Sequence, residues 1–425
     1  GGHLPFGYEI TDLVKPAGNQ LVVRVEGLLA PDRVPPGNIE PDPLDVFPNT
    51  NYPPTSYDFF PFCGIQRPVL LYAVPQDAIA DVTVVTTIEN GAGRVQVKVD
   101  RTTDEEATVR FSLNGHGVSL SAEVSASGET VEGELIVPDA ALWAPGAPNL
   151  YDLTVELSRD ENIIDCYALS IGIRTIAVEG DQLLLNGEPI KLTGFGRHED
   201  FFILGRGLAP AVIVKDYALM DWIGANSYRT SHYPYSEQMM DLADRLGFLV
   251  IDETPAVGLF FREEGLERRL ELCRQYTQEL IERDKNHPSV IMWSLANEPH
   301  SRRPPAKAFF CDLYDLAKSL DPSRPATIVS LVGLGEEAFE FCDVVCLNRY
   351  YGWYTEPGQL EQGFAKLSAE LDALHQKYPK PQILAEFGAD TISGFHAQPP
   401  EMFSEEYQAE MLTGYIELMN EKPFV

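Results

Sequence analysis

No apolar run in this 425-residue chain approaches the roughly 20 residues a helix needs to span a bilayer, which excludes a helical membrane segment. Basic residues are scarce, 32 against 64 acidic ones, and the resulting net charge of −32 repels nucleic-acid phosphates and anionic membrane surfaces. Neither nucleic acid nor membrane is therefore expected as a partner. A substrate that is itself an anion would have to be captured by local cations against that field. The six cysteines, Cys63, Cys166, Cys273, Cys311, Cys342 and Cys346, are too few in so long a chain for the disulfide framework of a small secreted domain. Several sit in apolar runs, and Cys342 and Cys346 lack the second ligand pair of a metal site, so buried free thiols in a reducing, cytoplasmic setting are expected. No basic-then-apolar signal segment opens the chain, although a first residue of Gly makes that start uninformative.

A 44 % hydrophobic content with 10 % aromatics is that of an ordinary globular protein, and the length allows two or three domains. Residues 1–74 and 75–175 are strand-rich. Period-two alternation runs through Gln20–Val25, Asp81–Val85, Arg94–Val99 and Thr108–Leu113, and Pro68–Tyr72 resumes strand character after a Pro-rich loop, Pro31 to Pro54. This grammar predicts two β-sandwiches meeting near Val74. From residue 176 to 425 strands and helices alternate, as in a parallel sheet with crossover helices. Seven strands are predicted, at 189–195, 225–230, 248–252, 290–295, 326–331, 344–348 and 382–386, with helices at 212–223, 236–246, 268–283, 305–319, 360–377 and 405–420. A parallel barrel needs an eighth strand to cover two open edges, so the intact protein is expected to continue past Val425, and likewise to begin before Gly1.

Two segments carry the chemistry. Ser294-Leu295-Ala296-Asn297-Glu298-Pro299 closes one apolar strand and Ala385-Glu386-Phe387-Gly388-Ala389-Asp390 closes another, each placing a carboxylate at the barrel end where catalytic groups gather. A pair of such glutamates suits glycosidic bond cleavage, one as proton donor and one as nucleophile or base. Polar residues recur after the other strands: Arg197 to Asp200, Arg229 to Tyr233, Asp252-Glu253 and Asn348 to Tyr354. Taken singly, His198 or His232 reads as a core histidine, Tyr350, Trp353 and Tyr354 as rim packing, and Asp252-Glu253 as support for an inner shell. Gly194-Phe195-Gly196 lacks the remaining elements of a dinucleotide fingerprint. Repetition at one end of successive strands is what makes these residues a sugar pocket, with paired donors and acceptors for hydroxyls and aromatic faces for a pyranose.

The strings Asn286 to Pro299, Thr193 to Asp200 and Ala225 to Pro234 resemble glycoside hydrolase family 2, and Leu142-Trp143-Ala144-Pro145 with Pro148-Asn149-Leu150-Tyr151 resembles the end of that family's middle immunoglobulin-like domain. Within the family, Asn348 to Tyr354 and Glu386 to Thr391 are closer to bacterial β-glucuronidases, several of them from gut bacteria, than to β-galactosidases. The resemblance implies a multidomain β plus α/β fold: part of a sugar-binding jelly-roll sandwich at 1–74, an immunoglobulin-like sandwich at 75–175, and a TIM barrel at 176–425 without its last strand. It implies a retaining exo-hydrolase of terminal β-D-glucuronides, small conjugates or glucuronide-ended oligosaccharides, needing no metal or redox cofactor and assembled as a homo-oligomer. Glu298 would be acid and then base, Glu386 the nucleophile, and Asn297 would bond the sugar 2-hydroxyl. Asp58, His198, Asn348, Tyr350 and Tyr354 would bind the sugar, and Arg229 is the expected partner of Glu386.

The family's Asn-x-Lys motif for the glucuronate carboxylate lies beyond its eighth strand and outside these residues. A β-galacturonidase or β-galactosidase therefore remains an alternative, as does a non-catalytic carbohydrate-binding protein. Only Gly258 to Gly265 separates the third strand from its helix, where some relatives carry a long loop, so an open aglycone side is expected.

Overall fold

The structure, a computed structural model, describes residues 2–39, 55, 57 and 59–425. Strands β1 (Ile79–Glu89), β2 (Ala92–Arg101) and β5 (Thr130–Val137) form one antiparallel sheet. A second sheet has the order β4 (Val118–Ala126), β3 (Ala107–Gly115), β8 (Tyr151–Arg159), β9 (Asn162–Ile171). Their inner faces follow the period of two: Val95, Val97 and Val99 of β2 are buried while Gln96 and Lys98 face solvent. They meet Val109, Phe111, Leu113, Leu153, Val155 and Leu157 from the other sheet. Gly133 is required here, because a Cβ would stand 2.3 Å from the Phe111 ring.

A short hairpin, β6 (Trp143–Ala144) with β7 (Ala147–Pro148), leads to the junction with the barrel. The Asn-His-Pro string proves to be a clamp there. Asn286 accepts from the Val84 amide at 2.8 Å and donates to the Val82 carbonyl at 2.7 Å, so one side chain continues the ladder of an edge strand. Arg174 donates to the carbonyls of Pro288 and Val290, and the Trp143 indole to that of Asp244. A second antiparallel unit, β10 (Ile176–Glu179), β11 (Gln182–Leu185) and β12 (Glu188–Pro189), joins Leu183 and Leu185 to barrel-interior residues Leu249, Ile251, Met292 and Val329.

The barrel wall is one parallel sheet in chain order: β13 (Gly194–Gly196), β14 (Ser227–Arg229), β15 (Leu249–Glu253), β16 (Val290–Asn297), β17 (Ala326–Ser330), β18 (Val345–Asn348) and β19 (Gln382–Glu386). It is nearly closed, with β13 and β19 as its edges among the described residues. β15, β16, β17 and β18 are buried along their whole length, as strands covered by helices on one side and a packed interior on the other must be. The covering helices are α1 (Pro210–Trp222), α2 (Glu237–Leu246), α3 (Leu266–Asp284), α4 (Pro305–Leu320), α5 (Leu360–Lys377) and α6 (Glu405–Asn420). Between β17 and β18 two 3₁₀ turns, Gly333–Gly335 and Ala338–Glu340, stand in place of a helix. Among the described residues no helix is long and apolar enough to cross a membrane.

Two expectations are corrected. The first barrel strand begins at Gly194 and not at Pro189, because the Ile190 amide donates to the Leu183 carbonyl and commits that stretch to the preceding hairpin. The close approach of β13 to β14 also demands Gly194, where a Cβ would fall 1.8 Å from the Ser227 carbonyl oxygen. The runs Gln20–Val25 and Pro68–Tyr72 are not paired strands among the described residues, and Leu21, Val22, Leu70 and Leu71 are exposed. Alternation makes a strand only where a neighbouring backbone completes the ladder, and none does so among the described residues. Among the described residues of 1–74 the β pairing present is the isolated antiparallel bridge of Gly37 and Thr55.

Candidate active site

The strand ends open into a cavity of about 1380 Å³ that continues along the edges of β13 and β19. Arg229, which ends β14, is 2 % exposed and forms the hub. Its Nη1 lies 2.6 Å from both oxygens of Glu253, which ends β15, and its Nη2 donates to Glu386 Oε1 at the end of β19. Burial alone would lower the guanidinium pKa, but the charges of Glu253 and Glu386 reverse this and raise it. Glu253 is fully buried, yet Arg229, His232 and a 2.7 Å bond from the Ser294 hydroxyl outweigh desolvation and hold its carboxyl below the usual range. His232 bridges the cluster, with Nδ1 3.3 Å from Glu253 and Nε2 3.7 Å from Glu386.

Each oxygen of Glu386 accepts a hydrogen bond. Arg229 supplies one and the Tyr350 hydroxyl the other at 2.5 Å. Two donors on one carboxylate leave it oriented and charge-compensated, as a nucleophile must be. Glu298 is held differently. It follows β16 with a positive φ of 48°, and its amide donates to the Val329 carbonyl at 2.8 Å. Asn348 donates to its Oε1 at 2.7 Å and contacts Asn297 Oδ1 at 3.2 Å. Desolvation and then the nearby charge of Glu386 push the Glu298 carboxyl up to about 7, and the Asn348 bond only partly offsets this. Two carboxylates in one cavity thus have environments that separate their roles.

Asn297 and Asn348 are buried beside Glu298, and Tyr350 sits against Glu386. His198, after β13, lies 5.2 Å ring to ring from His232 and 3.1 Å through Nδ1 from the Tyr233 hydroxyl. Tyr354 is the outlier, 66 % exposed, with its ring 5.0 Å from that of Tyr350 on the cavity rim. Asp58 lies outside the described residues. The Gly258–Gly265 loop is tied down: His300 donates its amide to the Leu259 carbonyl, Arg269 donates to that of Phe260, and the Phe260 and His300 rings stack at 4.3 Å along the cavity.

Three participants carried no site role of their own in the sequence. Glu253 and His232 read as inner support and core, and Ser294 was only part of a motif string. Glu253 and His232 do stand at strand ends with the rest. What the string does not give is which strand-end carboxylate closes on an arginine and which stays open to the cavity.

Residues 176–423 match the family model for glycosyl hydrolases family 2, TIM barrel domain, and residues 78–174 match that for glycosyl hydrolases family 2. A β-glucuronidase of Paenibacillus borealis is 41 % identical over 100 % of this chain and 73 % of its own length. The β-glucuronidase of Sus scrofa is 39 % identical over 99 % of the chain and 66 % of its own length, so the chain spans about two thirds of such relatives. The solved β-D-glucuronidase of Dictyoglomus thermophilum superposes with a TM-score of 0.84 at 41 % identity, covering 93 % of this chain and 69 % of that one. A Ruminococcus gnavus β-glucuronidase in complex with C6-substituted uronic isofagomine gives 0.83 at 35 % identity, covering 93 % and 68 %. By matched sequence along both the sandwich and the barrel, the chain belongs to family 2 of the glycosyl hydrolases.

Proposed function

We propose that the protein carrying this chain is a retaining exo-β-glucuronidase acting on terminal β-D-glucuronides. The observation that carries the reading is the unequal pair: Glu298 pushed up to about 7 in a desolvated niche, and Glu386 accepting from Arg229 and Tyr350. In the first step a Glu386 oxygen attacks the anomeric carbon while the aglycone oxygen departs with the proton of Glu298. In the second, Glu298 takes a proton from water, the water oxygen attacks the same carbon, and Glu386 is released as carboxylate. Asn297 bonds the 2-hydroxyl, and His198, Asn348, Tyr350, Tyr354 and Asp58 bind the sugar. Glucuronidase names among the relatives, one of them holding a uronic isofagomine, support glucuronic acid over galacturonic acid or galactose. The domain limits stay as read from the sequence, 1–74, 75–175 and 176–425. Six unpaired cysteines fit a reducing, cytoplasmic setting, and the assembly is read as a homo-oligomer.

The test is hydrolysis of p-nitrophenyl β-D-glucuronide against the matching galacturonide and galactoside, with Glu386→Ala as control. Preferential glucuronide cleavage that the substitution abolishes is expected. Preference for another glycoside would overturn the sugar assignment, and no cleavage of any would leave a binding protein. With only a short, tied-down loop on the Glu298 side, small and bulky glucuronides should turn over at comparable rates, and a strong preference for small aglycones would contradict an open site.

A further inference from the structure

Tyr233 is 1 % exposed, and its ring is held by an arginine and a histidine that also bind each other. The Arg206 guanidinium lies 3.4 Å from the ring centroid and the His3 ring stacks on it at 5.3 Å and 18°. Arg206 and His3 are themselves joined through Nη1 and Nδ1 at 3.2 Å, and Arg67 ties the group to Glu199 and to the Arg206 carbonyl. All this fixes one hydroxyl, which has two partners among the described residues: the Glu199 amide at 3.2 Å and His198 Nδ1 at 3.1 Å.

The Glu199 amide can only donate, so the phenolic oxygen accepts from it. The remaining question is which way the proton lies between the hydroxyl and Nδ1. Were Nδ1 protonated, the oxygen would accept twice and its own hydrogen would be buried without an acceptor among the described residues, the costly outcome for a polar group out of water. With the hydroxyl donating to Nδ1, amide, hydroxyl and ring nitrogen are all satisfied. Burial pushes the Tyr233 phenol up to about 12, so the donor proton is present at neutral pH.

We propose that Tyr233 fixes His198 as the Nε2–H tautomer, so that this cavity-lining ring offers a donor and not an acceptor at its second nitrogen. Tyr233 is then a positioning residue acting through His198, and Arg206 holds the ring in place. The tautomer stands on this geometry alone. The role toward a sugar rests on the glucuronidase reading.

The experiment is long-range ¹H–¹⁵N correlation of the histidine side chains in the ¹⁵N-histidine-labelled protein, with the His198 signals assigned by their loss in His198→Gln. The expected result is a pyrrole-type Nε2 and a pyridine-type Nδ1. The reverse pattern in the unsubstituted protein would overturn the proposal without any variant at position 233. Tyr233→Phe should shift His198 away from the single Nε2–H form and lower kcat/KM for the glucuronide about tenfold, the worth of one donor contact. An unchanged His198 spectrum in that variant would also overturn it. Because the spectra need no substrate, failure to cleave glucuronides would refute the function and leave the tautomer tested separately.

Discussion

Two buried clusters of charge lie on either side of the β15 backbone, and they begin from adjacent residues. Glu253 faces the barrel interior, where it joins Arg229, His232 and Glu386. Asp252 faces the other way, as successive strand residues must, and meets Asp284, Arg283 and Thr230. Arg283 binds Asp284 through two nitrogens at 2.8 and 2.5 Å, and His287 binds Asp244 at 2.6 Å. Burial, then Asp284, pushes the Asp252 carboxyl well up, so that cluster is perturbed as well. Yet of the two, only the inner cluster reaches the cavity, through Arg229, His232 and Glu386. Perturbed charge alone does not mark a catalytic site. Perturbed charge that opens on a cavity makes a candidate site.

The largest separation between the clusters should come from deleting one carboxylate in each. Glu386→Ala should lower kcat by at least about a thousandfold, as removal of a nucleophile does, while a thermal melt shows the fold retained. Asp284→Ala removes the carboxylate that binds Arg283 through two nitrogens, so it should lower stability by about 3–5 kcal/mol in denaturant titration with turnover per folded molecule little changed. Equal effects of both on both readouts would erase the distinction.

The clusters also differ in pH window. Glu298 is raised from 4.5 to about 7, so the folded state binds its proton more tightly than the unfolded chain does. That stabilisation is complete below about 4.5 and is lost as pH rises through about 7. Glu298→Gln should therefore abolish most activity yet raise stability above pH 7 by up to about 3 kcal/mol, with little change at pH 4. His287 has a folded pKa of about 9, because Asp244 more than offsets desolvation. Its contribution is complete below about 6.5 and is lost as pH rises through about 9. His287→Gln should thus cost about 3 kcal/mol at pH 6 and much less at pH 10, by melting across the range. The smallest effect belongs to Asp252→Asn, isosteric with a neutral acid and expected to cost under about 1 kcal/mol. Asp284→Asn, which strips Arg283 of its charge partner, should cost several times more.

Much of this was legible in the sequence where one periodicity ruled. All six helices and six of the seven barrel strands fall within two residues of the spans that patterning predicts, because core-facing apolar positions dictate them. Reading failed where one backbone serves two sheets, at Pro189 to Thr193, and where alternation lacked a pairing partner, at Gln20–Val25. For the candidate site, strand-end position pointed to Glu298, Glu386, Asn297, Asn348 and Tyr350, which the structure brings together, and Arg229 donates to Glu386 as the charge argument expected. Strand-end position could not rank Asp252 against Glu253, since a single step along a strand decides which one faces the barrel interior. Nor could it see that Arg206 stacks on Tyr233, because such a contact has no periodic trace.

The most direct test of the account is covalent trapping with a 2-deoxy-2-fluoro-β-D-glucuronyl fluoride, followed by peptide mass spectrometry. The account predicts one glycosyl adduct on Glu386. Labelling of Glu298 or Glu253, or an active enzyme that releases sugar of inverted anomeric configuration with no adduct, would contradict it.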